Sequence, residues 1–260
     1  MNELMDSIGV QKPNLDAWRS QCDEWKRDYP FSFNDSEHIL PQHAVQVLYE
    51  LTGGAIRIRE SIVHLTDSVV TQNQTALEGG SRDNGGGIAI YGRYDAASGT
   101  AHPATVTLTR STVAENTAAR GGGIVCVVCD LRLVESSVIS NSAAEDGGGI
   151  YLAGDASTLT MTSSTLAANV ASGRGGGLAV VYGTGTATLN VNRIIANTAT
   201  VGATIYNETA TVDVDNNWWG CNGGPGCSSP DEIAGPYTLN ASLVLRLTAD
   251  RTLVRSGRNT

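Results

Sequence analysis

The stretch Gly121-Gly122-Gly123-Ile124-Val125-Cys126, followed by Leu131-Arg132-Leu133, Val138 and Asn141, decides the fold, because the chain repeats it. Gly147-Gly148-Gly149-Ile150 leads to Leu159, Met161, Leu166 and Asn169, and Gly175-Gly176-Gly177-Leu178 leads to Ala187, Leu189, Ile194 and Asn197. Gly85-Gly86-Gly87-Ile88 leads to Val106, Leu108, Val113 and Asn116, and is itself preceded by Val63, Leu65, Val70 and Asn73. Degenerate copies stand at Gly53-Gly54-Ala55-Ile56 and at Gly202-Ala203-Thr204-Ile205, the latter followed by Val212, Val214, Trp219 and Asn222. The steps from one Asn to the next are 43, 25, 28, 28 and 25 residues. Within each copy the apolar residues alternate with period 2, which describes short strands with one buried face.

Copies of this length, each with two or three strands and no helical stretch, predict an all-β solenoid of about six coils rather than a sandwich. Stacking would place Ile88, Ile124, Ile150, Leu178 and Ile205 in one buried column, with Ile90, Cys126, Leu152 and Val180 in the next. The recurrent Asn73, Asn116, Asn141, Asn169, Asn197 and Asn222 suit a ladder of side-chain amides, each bonded to its equivalent one coil away. The competing reading is a turn residue chosen for tolerance of the left-handed region.

Composition agrees with strands and narrows function. The 260 residues are 41% hydrophobic, 17% charged and 5% aromatic, with 30 glycines. A net charge of −9 argues against a protein that tracks nucleic-acid phosphates. No stretch approaches the roughly 20 apolar residues of a membrane helix, and no signal peptide is visible at the N-terminus of this chain.

The composition changes near residue 52. Residues 1–51 hold both lysines, both phenylalanines, one glycine and no threonine, whereas residues 52–260 hold 29 glycines, thirteen arginines and no lysine. The boundary divides a helical segment, 1–52, from the repeat, 53–229, and from a linker and further module, 230–260. In the first segment Asn14 is a candidate N-cap, with Leu15, Trp18, Cys22 and Trp25 at helical spacing. Pro41 opens a second helix with Ala44, Val45, Leu48 and Leu51 on one face.

The Gly-Gly-Gly-Ile…Ser-x-Val-x-x-Asn repeat resembles right-handed parallel β-helix proteins of bacterial surfaces, especially those with polymorphic-outer-membrane-protein-type repeats and related members of the pectate-lyase-like superfamily. The run Asn216-Asn217-Trp218-Trp219-Gly220-Cys221-Asn222-Gly223-Gly224-Pro225-Gly226-Cys227 is similar to the closing coil of such proteins. The resemblance implies an extracellular or cell-surface setting and an adhesive or structural role. Leu243-Val244-Leu245-Arg246-Leu247-Thr248-Ala249-Asp250 resembles the first strands of an immunoglobulin-like surface module, cut off at Thr260, so the chain is read as a fragment and as a monomer.

Residues 1–54 have a second resemblance. Trp18…Cys22-Asp23-Glu24-Trp25-Lys26…Tyr29-Pro30, then Pro41 through Gly54, is similar to the large subunit of acetolactate synthase, a thiamine-diphosphate enzyme. The family's cofactor-contacting Gly-Gln-His-Gln segment should follow, but the chain continues Ala55-Ile56-Arg57-Ile58-Arg59-Glu60. No catalytic residue carries over, and a chimeric gene accounts for the composition break. A helical cap over the first coil is the alternative.

No catalytic residue, cofactor or metal is expected. A polysaccharide lyase would need clustered acids for Ca²⁺ and a basic residue to take a proton. Asp213 and Asp215 share an outward face beside Thr188 and Thr160, and two acids are too few for a hard cation. In Cys126-Val127-Val128-Cys129 strict alternation would point Cys126 inward and Cys129 outward, which disfavours a bridge. Cys221 and Cys227 flank a Gly-Gly-Pro-Gly turn able to bring them together, as suits an exported protein.

The 43-residue step carries an insertion in Gln74–Asn84 and Gly92–Pro103. Arg82, Asp83, Arg93, Tyr94 and Asp95 form a candidate binding loop there, because insertions leave a solenoid on its flank. The expectation is a non-catalytic surface module with a cell-surface or carbohydrate ligand; a carbohydrate-active β-helix is the alternative.

Overall fold

A computed structural model describes residues 56–75, 85–227 and 232–246. The chain divides into two units, Met1–Ile39 and Leu40–Thr260, and the described residues all fall in the second. The helices expected within 1–52, and Arg82 and Asp83 of the candidate loop, lie outside the described residues.

The described residues form a parallel β-helix, with no helix among them. Three long sheets and a shorter one, Thr117–Ala118, Ser142–Ala143 and Val170–Ala171, run along the stack. The first joins Ile56–Arg59, Ile88–Tyr91, Ile124–Val127, Ile150–Ala153, Leu178–Val181, Ile205–Asn207 and Ile233–Ala234. The second runs from Ile62–Thr66 to Thr211–Asp213, and the third from Val69–Thr71 to Arg193–Ile195. Register pairs Ile88 with Ile124, Ile124 with Ile150, Ile150 with Leu178 and Leu178 with Ile205, so the predicted first column is continuous. The second column, Ile90, Cys126, Leu152 and Val180, is equally in register. Parallel pairing makes like stack on like, and the interior is a closed set of buried aliphatic side chains ending in Trp219.

Corners are made by single residues in the left-handed region. Gln72, Glu115, Ser140, Ala168 and Ala196 have φ between 54° and 58°, and each immediately precedes a ladder Asn. The Asn therefore does not itself adopt the left-handed conformation; its predecessor turns the chain and aims the amide inward. In the Gly-rich corner, Gly147 has φ 68°, while a Cβ on Gly149 would stand 2.6 Å from the Gly177 carbonyl oxygen. Conformation and coil-to-coil approach thus each require a glycine.

The amide ladder runs from Asn73 through Asn116, Asn141 and Asn169 to Asn197. Each backbone N–H and each Nδ2–H donates to the Oδ1 of the Asn one coil on, at 2.8–3.1 Å. The second Nδ2–H of Asn116, Asn141 and Asn169 donates to Val70, Val113 and Val138 carbonyls, so these buried amides are fully satisfied. Asn73 Oδ1, at the head of the ladder, is buried with no partner.

Asn222 is not a rung. The chain leaves the repeat after Trp219, at Gly220 with φ 86°, and Asn222 is exposed and bonded to Leu245. A second ladder, at the position five residues before each Asn, passes through Ser68, Ser111, Ser136 and Ser164 and then changes to Asn192 and Asn217.

Two further expectations are corrected. Cys126 and Cys129 both point into the interior, fully buried, and are paired as a disulfide with Cα atoms 5.6 Å apart. Alternation fails because Val128, at φ 50°, turns the corner between the first and second sheets within one residue. Residues 232–246 do not begin a separate module: Ile233–Ala234 adds to the first sheet, and Thr238 and Ser242 bridge in parallel to Asp213 and Asn217. They form part of another coil.

Candidate functional site

The second sheet presents an outward face rich in threonine. Register stacks Thr105, Asp130, Thr158, Thr186 and Thr211 in one column, and Thr107, Arg132, Thr160, Thr188 and Asp213 in the next. Asp213 stands where the sequence placed it, beside Thr188. Asp215 does not join it as a ligand pair. Its carboxylate accepts from the Asn240 side-chain amide at 2.6 Å and from the backbone N–H groups of Asn240 and Ala241. These donors hold the carboxyl below the usual carboxylate range, and Asp215 anchors the partial coil that follows. Among the described residues no group of three or more His, Cys, Asp or Glu is placed to hold a metal ion.

The first sheet has a different outward face. Val125, Tyr151, Ala153, Ala179 and Val181 are buried there as a second apolar cluster, with Tyr91, Val127 and Tyr206 packed against it. Guanidinium groups stand at both ends: Arg57 and Arg59 lie 5.1 and 5.7 Å from the Tyr91 ring, and Arg174 lies 4.7 Å from the Tyr206 ring. Burial pushes the Tyr151 hydroxyl up to about 12, so it stays protonated across the physiological range. Arg174 is fixed by a forked contact with Asp146, whose shortest distance is 2.7 Å, and donates to the Tyr206 hydroxyl at 3.3 Å. The Asp146 hydrogen bond, before any other influence, raises the Arg174 pKa.

Three other ion pairs among the described residues also join neighbouring coils. Arg110 meets Asp67 at 2.7 Å, Arg120 meets Glu145 at 2.6 Å and Arg93 meets Glu60 at 3.3 Å. Asp130 accepts from Arg132 on its own strand and from the Thr158 hydroxyl one coil on.

The insertion forms an antiparallel hairpin, Arg93–Asp95 against Thr100–His102, on the flank of a coil. Asp95 caps its own turn by accepting from the Ala97 N–H at 3.0 Å, which lowers its pKa. Arg93 leans back to Glu60, and Tyr94 is exposed. Cys221 and Cys227 pair as a disulfide beyond Trp219, with Cα atoms 6.3 Å apart.

Residues 47–219 match the family described as right handed beta helix region. The chain belongs to this family, a class of repeat solenoids. No curated protein and no solved structure matches it.

Proposed function

We propose that this chain is a non-catalytic β-helix module of the cell surface or extracellular space, with a structural or adhesive role, of the kind its polymorphic-outer-membrane-protein-like repeats suggest. The observation that carries the reading is the use of the polar side chains. Two buried ladders and ion pairs such as Asp67–Arg110, Glu145–Arg120 and Asp146–Arg174 each tie one coil to the next. Two disulfides among the described residues add to it, since disulfides persist in oxidising compartments. Adhesion falls to the hairpin, whose Tyr94 offers an exposed aromatic anchor on a rigid support.

A second reading, a carbohydrate-active β-helix, is favoured by the arginines stacked on Tyr91 and by the threonine face. Incubation with pectin, alginate and chondroitin, with and without Ca²⁺, separates the two. The first reading predicts retention on a surface or glycan without product, and release of oligosaccharides would replace it with the second. Acetolactate formation from pyruvate with thiamine diphosphate is not expected.

A further inference from the structure

The two disulfides sit in opposite surroundings. Cys126 and Cys129 are fully buried among the aliphatic side chains of the stack. Cys221 is half-buried and Cys227 is exposed. The loop closed by the Cys221–Cys227 bond grips both ends of the partial coil at 232–246. Gly226 N–H donates to the Glu232 carboxylate at 2.9 Å. Asn222 Nδ2 donates to the Leu245 carbonyl at 3.1 Å, and Leu245 N–H donates back to Asn222 Oδ1 at 2.8 Å. The partial coil in turn satisfies the last full coil, because Thr204 and Ile205 N–H donate to the Glu232 carbonyl at 2.9 and 3.0 Å.

We propose that Cys221–Cys227 is a thiol-responsive clasp whose reduction loosens the partial coil, and that Cys126–Cys129 is an inert corner staple. The reductant is a dithiol. Its thiolate attacks the sulfur of exposed Cys227, forming a mixed disulfide and expelling the Cys221 thiolate. Its second thiol then displaces the Cys227 sulfur and closes the reagent's own disulfide. Two electrons pass from the dithiol to the protein bond, and two protons end on the cysteines. Exchange needs access to a sulfur, which burial denies at Cys126 and Cys129. The clasp loop holds four glycines among residues 220–227, a composition with little conformational preference of its own once the bond opens. The result is a stack whose end is firm in oxidising surroundings and frayed in reducing ones. This is independent of what the hairpin binds.

The test treats the full chain under native conditions with dithiothreitol, alkylates with iodoacetamide, maps labelled cysteines by mass spectrometry and follows amide hydrogen exchange. Labelling of Cys221 and Cys227 without Cys126 and Cys129 is expected. Peptides covering 203–207 and 232–246 should exchange on the order of tenfold faster, while those covering 121–134 stay unchanged. The Cys221→Ser/Cys227→Ser variant should show the same fast exchange without reductant and no response to it. Labelling of all four cysteines at one rate would overturn the proposal. So would resistance of Cys221 and Cys227, or their labelling with no change in exchange at 232–246.

Discussion

Asn116 donates both its backbone N–H and its side-chain amide to one oxygen, Oδ1 of Asn141, at 3.0 and 2.9 Å. Removing the Asn141 side chain therefore orphans two donors of Asn116 in the buried interior. Asn141→Leu should cost about 3 kcal/mol or more, as buried groups left unsatisfied do. Asn73→Leu should cost clearly less, since Asn73 Oδ1 already lacks a partner. Urea unfolding of both variants checks this, and equal losses would mean that the ladder contributes little.

The Gly-rich corner supplies a steric prediction. Gly149→Ala sets a methyl against the Gly177 carbonyl and close to the Asn169 side chain. A backbone oxygen cannot yield as a side chain can, so the variant should lose about 2 kcal/mol or more. Gly99→Ala, in open space at φ 68°, should lose only about 1 kcal/mol from backbone conformation. Thermal unfolding midpoints of the two variants distinguish packing from conformation.

Ion pairs should differ by burial. The side chains of Arg174 and Asp146 are 29% and 11% exposed, against 52% and 47% for Arg110 and Asp67. Arg174→Met leaves a mostly buried carboxylate unpaired and should cost about 2–3 kcal/mol, below the full penalty of a buried ion because water still reaches the pair. Arg110→Met should cost clearly less, and that small loss should shrink further in salt.

Acid should loosen the end of the stack. Asn240 and Ala241 donors hold Asp215 below its ordinary pKa, and Arg110 does the same to Asp67. A carboxyl depressed on folding contributes stability that is complete above its unfolded pKa, about 3.9, and is lost as pH falls through the folded value. The unfolding midpoint should be flat above about pH 5 and decline below about pH 4. Asp215→Asn should remove part of that decline, measured by circular dichroism across pH.

The strand alternation and fixed Asn offset made the coil, its two apolar columns and the rungs from Asn73 to Asn197 legible in the sequence. The Ser rungs hold an equally fixed offset, but their role was hidden because a hydroxyl is as common in turns and because Asn192 and Asn217 take over downstream. Asn222 was misread because the last copy keeps its spacing while its backbone departs at Gly220. The Cys126–Cys129 pairing was missed because nothing about a valine announces a left-handed corner, a conformation β-branched residues rarely adopt. The anchoring role of Asp215 was hidden because its partners, Asn240 and Ala241, lie in residues read as another module.

Amide hydrogen exchange resolved residue by residue tests the central claim, that the ladders bind the coils into one rigid unit. The N–H groups of Asn116, Asn141 and Asn169 should be among the slowest and should share one opening free energy, while Arg93–His102 exchanges orders of magnitude faster. Ladder amides that exchange as fast as the hairpin, or coil by coil with unrelated free energies, would contradict it.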